Sequence, residues 1–212
     1  MQELFRLNGT FYCIMMKVWS LMVLNLLMII TSLPIVTIGA SQAAAFSVTT
    51  RIITQGETRI VSTYLEVFKK RFKQSTIAWL GILLISSILI TNWLYLSTFN
   101  QLDSWMTIGV AIVTLIVINY MQFIFYYLSR YDDSLKQASL NTLKLAINYP
   151  LTSSLLMLAF CLPFVLMLLS NYLFIFGIYI SMFLGLSFIH FLRTFLLLAF
   201  FKRFENSTIS HN

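Results

Sequence analysis

Charged side chains are scarce in this sequence. Asp, Glu, Lys and Arg make up only 10% of the 212 residues, whereas a soluble domain carries about 25%. Hydrophobic residues make up 59% of the chain, and the mean hydropathy is +0.85. A bilayer span needs roughly 20 apolar residues, so about five or six spans fit this length and leave no room for a soluble domain. The composition therefore predicts an all-α, polytopic membrane helix bundle that forms one domain over residues 1–212.

Acidic residues are missing from the long apolar runs. The seven acids are Glu3, Glu57, Glu66, Asp103, Asp132, Asp133 and Glu205. None of them lies within a predicted span, although proton-coupled and sodium-coupled carriers commonly use a buried carboxylate. The net charge of +7 comes from Lys and Arg beside apolar runs, where they set orientation and contact lipid. The predicted partner is therefore a bilayer with anionic headgroups, and not a nucleic acid.

The usual residues of catalytic and metal sites are also missing. The two cysteines, Cys13 and Cys161, are far apart in predicted depth, so we expect them to pack rather than to form a disulfide or bind a metal. No Ser, Cys or His arrangement lies beside a plausible base, and no glycine-rich phosphate loop or paired Cys/His spacing is present. We predict no catalytic residue, metal or cofactor, and hence no enzyme. An enzyme that acts on membrane lipid is the least favoured alternative.

Five long apolar runs and one shorter run follow one another along the chain. The predicted spans are 18–36, 76–96, 105–128, 151–169 and 172–201, with a short or re-entrant helix at 39–54. An interfacial segment at 1–17 precedes them, and a polar tail at 205–212 follows them. A cleaved signal peptide is the alternative for the first run, which is long for such a segment.

Basic residues cluster in two amphipathic stretches. Residues 55–74 and 133–148 have apolar residues at helical spacing among Lys and Arg, which is typical of helices that lie on a membrane surface. Lys and Arg are concentrated at 51–73, 130–144 and 202–203, whereas the loops at 99–104 and 170–171 contain none. Because basic loops stay in the cytoplasm, we predict that both surface helices and both chain termini are cytoplasmic.

The first apolar run ends in a break at residues 31–40, which contains Pro34 and Gly39. Pro34 cannot donate a backbone hydrogen bond, and Gly39 permits a turn. In lipid, such a break survives only where protein or water satisfies the backbone. The basic flanks predict that the break is the outer tip of a hairpin. Its second arm, residues 39–54, would be about 24 Å long as a helix, so a full crossing and a re-entrant arm both stay open.

Polar side chains at membrane depth are the candidate functional residues, because they are costly there. They are Asn25, Asn92, Asn119, Gln122, His190 and Arg193. His190 and Arg193 lie three residues apart and share one helix face, which fits an anion site or a polar seam between helices. Alternatively, Arg193 extends to the inner headgroups and His190 is an interhelical donor.

Arg193 has no acidic partner at its own predicted depth. We therefore hypothesise that the last span packs against the third span and that Arg193 reaches Asp132 or Asp133. The alternative role for Asp132 is the N-cap of the surface helix that follows it.

Four stretches of the sequence carry a family resemblance. They are residues 25–27, residues 32–40 with Ala43, the group Phe68, Phe72, Lys73 and Gln74, and residues 128–132, which include Arg130 and Asp132, with 135–137. Together they resemble the YesL-like family of bacterial integral membrane proteins, a family of unknown function. The chain departs from the family pattern at Ala40, where a Pro is usual, and this softens the start of the second arm.

The resemblance implies a bacterial plasma-membrane protein of five or six helices. It also implies an accessory or scaffold role beside a carbohydrate-uptake system, with a membrane transporter subunit as partner. The family offers no catalytic or binding residues to carry over. The alternative function is a small solute transporter or channel, which would need a polar cavity that reaches the middle of the membrane. The sequence does not predict an oligomeric state.

Overall fold

The computed structural model describes residues 10–56, 59–99, 105–148 and 150–209, and these residues form helices joined by short connections. The helices are α1 (Thr10–Ser32), α2 (Ile38–Gln55), α3 (Ile60–Thr98), α4 (Trp105–Arg130), α5 (Leu135–Asn148), α6 (Pro150–Leu168), α7 (Asn171–Ile180) and α8 (Leu186–Ile209). A 3₁₀ turn at Ile35–Thr37 joins α1 to α2, and a π-helical segment at Ser181–Gly185 joins α7 to α8. No strand occurs in these ranges, so the all-α prediction is confirmed for them.

Within the described ranges, four helical segments are long and apolar enough to cross a membrane. They are Ile14–Ser32, Ile60–Thr98, Trp105–Arg130 and Asn171–Phe201. Helix α6 coincides with the predicted span at 151–169, and its crossing of the membrane stays a prediction. Helix α2 is not among the four segments. The chain is therefore a multi-pass membrane protein by the length and composition of its helices.

Helix α3 is longer than predicted, because the expected surface helix at 55–74 and span at 76–96 form one helix. Its 39 residues extend about 58 Å at 1.5 Å per residue, whereas the hydrocarbon core is only about 30 Å thick. The prediction of two helices was wrong because Gln74, Ser75 and Thr76, at the junction, include neither Pro nor Gly. The chain reverses instead at Gly56, whose φ of 64° suits glycine.

Two groups of buried apolar side chains hold the helices together. The N-terminal cluster consists of Leu21, Leu24, Met28, Ala44, Ala45, Val48, Ile52, Ile60, Tyr64 and Val67. The central cluster includes Phe46, Trp79, Ile82, Phe123, Tyr126, Leu128, Leu145, Leu156 and Phe201. Helices α2 and α3 contribute to both clusters, so they join the start of the chain to the rest of the bundle.

The ends of the chain differ from their predicted states. Helix α1 begins at Thr10, so part of the predicted interfacial segment 1–17 is already helical, and residues 1–9 lie outside the described ranges. Helix α8 continues to Ile209, because no helix-breaking residue follows Phe201. The polar tail predicted at 205–212 is thus helical up to that residue, and residues 210–212 lie outside the description.

Candidate functional site

The break between α1 and α2 is closed by hydrogen bonds from both of its sides. The backbone N–H of Thr37 donates to the carbonyl of Pro34 over 3.0 Å, and the Thr37 hydroxyl donates to the carbonyl of Thr31 over 2.6 Å. From α3, the indole Nε1 of Trp79 donates to the carbonyl of Ile35 over 2.8 Å. Three carbonyls of the break, those of Thr31, Pro34 and Ile35, are therefore satisfied by protein, as a break inside a membrane requires.

Gly39 serves close packing and not the predicted turn. It lies in the first turn of α2, and a Cβ at this position would lie 2.5 Å from the Ser75 carbonyl oxygen and 2.7 Å from the Trp79 Cβ. The absence of a side chain thus lets α2 approach the backbone of α3. The turn prediction was wrong because it rested on the conformational freedom of glycine, whereas the structure uses its small size.

The break contacts α3 at a point that is closer to the basic end of this helix than to its apolar end. Trp79, which contacts the break, is eight residues after Arg71 and 19 residues before Thr98. These separations correspond to about 12 Å and 28 Å along the helix axis. Arg71 pairs with Asp132, just beyond the end of α4. This placement along α3 favours the re-entrant alternative for residues 39–54, and the outer-tip position of the break stays a prediction.

A buried hydroxyl cluster links the three N-terminal helices. The Tyr64 hydroxyl of α3 lies 2.6 Å from the Thr31 Oγ1 of α1 and 2.9 Å from the Ser41 Oγ of α2. Tyr64 is fully buried. These bonds fix the first three helices relative to one another beside the break.

His190 and Arg193 lie against the same aromatic ring. The His190 ring packs edge-on against Phe46 of α2 at 4.9 Å between centroids, and the Arg193 guanidinium carbon lies 5.1 Å from the Phe46 centroid. Arg193 also donates from Nη2 to the backbone carbonyl of Gln122 over 2.9 Å. Both side chains are buried, so Arg193 is held inside the bundle and does not extend to the headgroups.

Two buried side-chain nitrogens belong to Gln122, whose carbonyl binds Arg193, and to His190, one turn before Arg193. The side-chain Nε2 of Gln122 and the Nδ1 of His190 have no hydrogen-bond partner within the described residues. One turn further along, the hydroxyls of Thr194 and Thr49 lie 2.7 Å apart. The arrangement is a polar contact zone between α2, α4 and α8 that contains the Arg193 cation.

Asp132 pairs with α3 and not with Arg193, so the hypothesis of an Arg193–Asp132 contact was wrong. Its carboxylate accepts from Lys70 at 2.9 and 3.2 Å and from Arg71. Arg71 is buried and also donates to the Tyr131 carbonyl over 2.9 Å. The hydrogen bond from Lys70 and the charge of Arg71 lower the pKa of Asp132 below its usual value. Lys70, Arg71 and Asp132 form an ion-pair latch between α3 and the connection after α4.

The remaining predicted roles at this connection are filled by other residues. Asp133 accepts a hydrogen bond from the Tyr127 hydroxyl over 2.6 Å, so it is not the partner of Arg193 either. The Ser134 hydroxyl, and not Asp132, caps α5, since it accepts from the Gln137 N–H and donates to the Gln137 side chain. Arg130 is exposed and lies over the Tyr131 ring at 5.8 Å.

Asn25 holds the π-helical segment of the last span. Its Nδ2 donates to the carbonyls of Ser181 and Met182 over 3.1 and 2.8 Å, and its Oδ1 accepts from the Ser187 N–H over 3.1 Å. A π-helical segment disturbs the regular backbone hydrogen bonds of a helix, and Asn25 satisfies from α1 two carbonyls of that segment and one N–H just after it. Asn25 is fully buried.

Asn119 has a similar role between two other helices. Its Oδ1 accepts from the Ser153 hydroxyl of α6, and its Nδ2 donates to the Leu115 carbonyl of its own helix over 2.9 Å. Asn92 instead is exposed and bonds to the Ile88 carbonyl of its own helix. The polar residues predicted at depth thus divide into helix-joining residues and one that faces outward.

Several partners in these contacts escaped the sequence analysis. Phe46, Tyr64 and Trp79 each contact a predicted site residue or the break, yet their types are common in apolar runs. Arg71 stood among four other Lys and Arg residues on the same amphipathic stretch, with no signal that it would be buried. The spacing of eight residues between Arg71 and Trp79 was the one feature of the sequence that could have placed Arg71 on the buried face of α3.

Among the residues that the structure describes, no group of His, Cys, Asp and Glu could hold a metal ion.

Comparisons with known proteins find a match for part of the chain. No curated protein and no solved structure matches the chain. Residues 21–93, which contain the break, α2 and most of α3, match the model of a family described as "Protein of unknown function, DUF624", and this confirms the resemblance of that region to a family of unknown function.

Proposed function

We propose that the chain is a non-enzymatic accessory or scaffold protein of the bacterial plasma membrane. The observation that supports this proposal is the use of the deep polar residues as contacts between helices. Asn25 bonds to the π-helical segment, Thr49 to Thr194, and Arg193 to the Gln122 carbonyl. Polar contacts of this kind stabilise one fixed packing of membrane helices. A transport path would instead leave such groups free to face water or solute.

The proposed partner is a membrane subunit of a carbohydrate-uptake system, as the family resemblance implies. Large apolar side chains on three helices are available for such a partner or for lipid. Ile88 of α3, Ile112 of α4 and Phe176 of α7 are 61%, 53% and 63% exposed. Because these three side chains are similarly exposed, they can be compared directly as crosslinking positions on α3, α4 and α7.

Photocrosslinking in native membranes tests this proposal. A photoreactive amino acid is introduced separately at Ile88, Ile112 and Phe176, and the products are identified by mass spectrometry. We expect one face to form a discrete product with a transporter subunit, while the other two faces crosslink mainly to lipid. The absence of a protein product at all three positions, or the same mixture at each, would contradict a scaffold with a defined partner.

A small anion transporter is the second candidate function. It is favoured by the buried Gln122 Nε2 and His190 Nδ1, which lack a hydrogen-bond partner among the described residues. Gln122 binds Arg193 through its carbonyl, and His190 lies one turn before Arg193. Chloride efflux from liposomes that contain the purified chain is the test. We expect a transporter to lose efflux in Arg193→Gln but to keep it in the exposed control Arg59→Gln. Efflux no faster than from empty liposomes would exclude this function.

A further inference from the structure

A cavity of about 330 Å³ lies between α4, α5 and α8, at the end of the bundle that carries the ion-pair latch. Its aromatic wall is formed by Tyr127, Tyr131 and Phe201, and its polar wall by Asn141, Lys144 and Asn148. The volume is at the lower end of the range for small-molecule sites, roughly 300–1,000 Å³. The cavity is separate from the Arg193 contact zone described above.

The aromatic wall is held in place by hydrogen bonds. The Asn141 Nδ2 donates to the Tyr127 hydroxyl over 2.9 Å, and that hydroxyl donates to Asp133. The rings of Tyr127 and Tyr131 pack at 4.6 Å between centroids. This side of the cavity is thus preorganised, and Tyr127 and Asn141 already use polar groups within the protein.

Two donors at the mouth of the cavity are available to a ligand. Lys144 and Asn148 are exposed, and neither has a hydrogen bond or an ion pair with another described residue. Asp133, a carboxylate beside the aromatic wall, accepts from the Tyr127 hydroxyl. Arg130 adds a second cation beside the Tyr131 ring. The mouth therefore offers an ammonium and an amide to an anionic group.

The surroundings of the mouth are apolar on one side. Asn148 lies two residues before the start of the apolar helix α6, and Ile147, its neighbour, is 62% exposed. Phe201 ends the apolar segment Asn171–Phe201. The cavity is thus placed where membrane-spanning segments end and basic residues begin, which is the depth of lipid headgroups.

We propose that this cavity binds the phosphate headgroup of an anionic phospholipid. Lys144 and Asn148 hold the phosphate oxygens, the tyrosine wall packs against the glycerol, and the acyl chains pass over Ile147 into the bilayer. Basic pockets between membrane helices are known to hold such headgroups. This inference does not depend on the scaffold function, because it concerns a lipid and not a protein partner.

Native mass spectrometry of the purified full chain tests this inference. The protein is titrated with phosphatidylglycerol or with zwitterionic phosphatidylcholine in detergent. We expect phosphatidylglycerol to bind more tightly, and Lys144→Gln to weaken its binding about fivefold, since one basic residue near a lipid surface contributes about that factor. Lys136→Gln is the matched control, because it removes the same charge from an exposed position of α5 outside the cavity.

A second variant covers the case in which Lys144→Gln fails to fold. Asn148→Asp adds a negative charge at the mouth, and we expect it to weaken phosphatidylglycerol binding while leaving phosphatidylcholine unaffected. Equal weakening by the Lys136 and Lys144 variants would overturn the inference, because it would indicate general surface charge. Glycerol 1-phosphate is added at millimolar concentration to the complex with phosphatidylglycerol. If it displaces the lipid as effectively as added phosphatidylglycerol does, the inference is also overturned, because the site would then bind a free phosphate ester.

Discussion

Asn25 supplies three hydrogen bonds to a stretch of backbone that departs from regular α-helix. Each interhelical hydrogen bond in a membrane protein contributes about 0.6 kcal/mol on average, so we expect Asn25→Ala to lower stability by about 2 kcal/mol. The measurement is thermal or denaturant unfolding of the purified chain in detergent. Asn92→Ala is the control, because Asn92 is exposed and bonds only within α3, and its effect should stay within about 0.5 kcal/mol. Equal losses in the two variants would show that the π-helical segment does not depend on Asn25.

Gly39 and Gly81 are both helical glycines, yet the space around them differs. A Cβ at Gly39 would collide with the backbone of Ser75, whereas a Cβ at Gly81 would meet nothing within 4 Å. We expect Gly39→Ala to destabilise the chain by about 1–3 kcal/mol through overpacking. Gly81→Ala should be neutral or should stabilise by up to about 1 kcal/mol, because alanine favours a helix. Unfolding in detergent measures both changes, and a neutral Gly39→Ala would contradict the close approach of α2 to α3.

At this scale the sequence predicted which residues matter better than it predicted their contacts. The cost of polar groups in a membrane singled out Asn25, Asn119 and Arg193, and the structure places all three in contacts between helices. Their partners are mostly backbone carbonyls, such as that of Gln122. Every residue has a backbone carbonyl, so the type of the partner residue does not indicate such a contact. The Arg193–Asp132 hypothesis failed for this reason, since it considered only a charged side chain as a partner for arginine.

The ion-pair latch joins two elements, α3 and the connection between α4 and α5, and it makes their contact sensitive to pH. The pKa of Asp132 is lower in the folded chain than its ordinary value of 3.8. Its stabilising contribution is therefore complete above that value and is lost as the pH falls through the lowered pKa. We expect the Tm of the native chain to fall more steeply than that of Asp132→Asn between about pH 5 and pH 3.

Thermal unfolding in detergent at several pH values measures this difference. Because Asp132 is exposed, we also expect the difference to shrink at high ionic strength, where exposed charges are screened. Parallel curves for the native chain and Asp132→Asn at low salt would mean that the latch contributes nothing to stability.

Helix boundaries followed from the sequence where a residue of special geometry was present. Pro34 ended α1 in this way. The start of α5 did not follow from the sequence, because Asp132 was the predicted cap whereas Ser134 with Gln137 caps the helix. The surface helix and the span that make up α3 could not be separated correctly by composition, since a change from basic to apolar residues does not interrupt a helix. Helix continuity depends on local backbone geometry, whereas the hydropathy pattern reports only the environment.

The buried position of α2 leads to a prediction about the whole molecule. Ser47 is buried between neighbouring helices, so Ser47→Cys in a Cys13→Ser, Cys161→Ser background should resist a membrane-impermeant maleimide from either side. Glu66→Cys, on the exposed face of α3, should react from one side, which is the cytoplasmic side in the proposed orientation. Reaction of Ser47→Cys as fast as that of Glu66→Cys would indicate a water-filled path and would favour the transporter.

The multi-pass helical architecture was predictable because apolar runs of sufficient length have few other structures available to them. The depth of the break was not predictable, because the Lys and Arg pattern reports the side of a loop and not how far a hairpin penetrates. The position of the break against α3 involves the contact of Trp79 with Ile35, which joins residues 44 positions apart and leaves no local signal in the sequence.

Because α3 is one uninterrupted helix that contributes to both hydrophobic clusters, we expect it to move as a rigid body. Its first turns are held by α1 and α2, and its later turns pair with α4. A membrane helix longer than the bilayer accommodates a change in bilayer thickness by tilting. A tilt of about 10° displaces a point that lies about 25 Å along the helix by about 4 Å. Such a tilt of α3 would carry the N-terminal helices, which pack on its first turns, sideways by a similar distance.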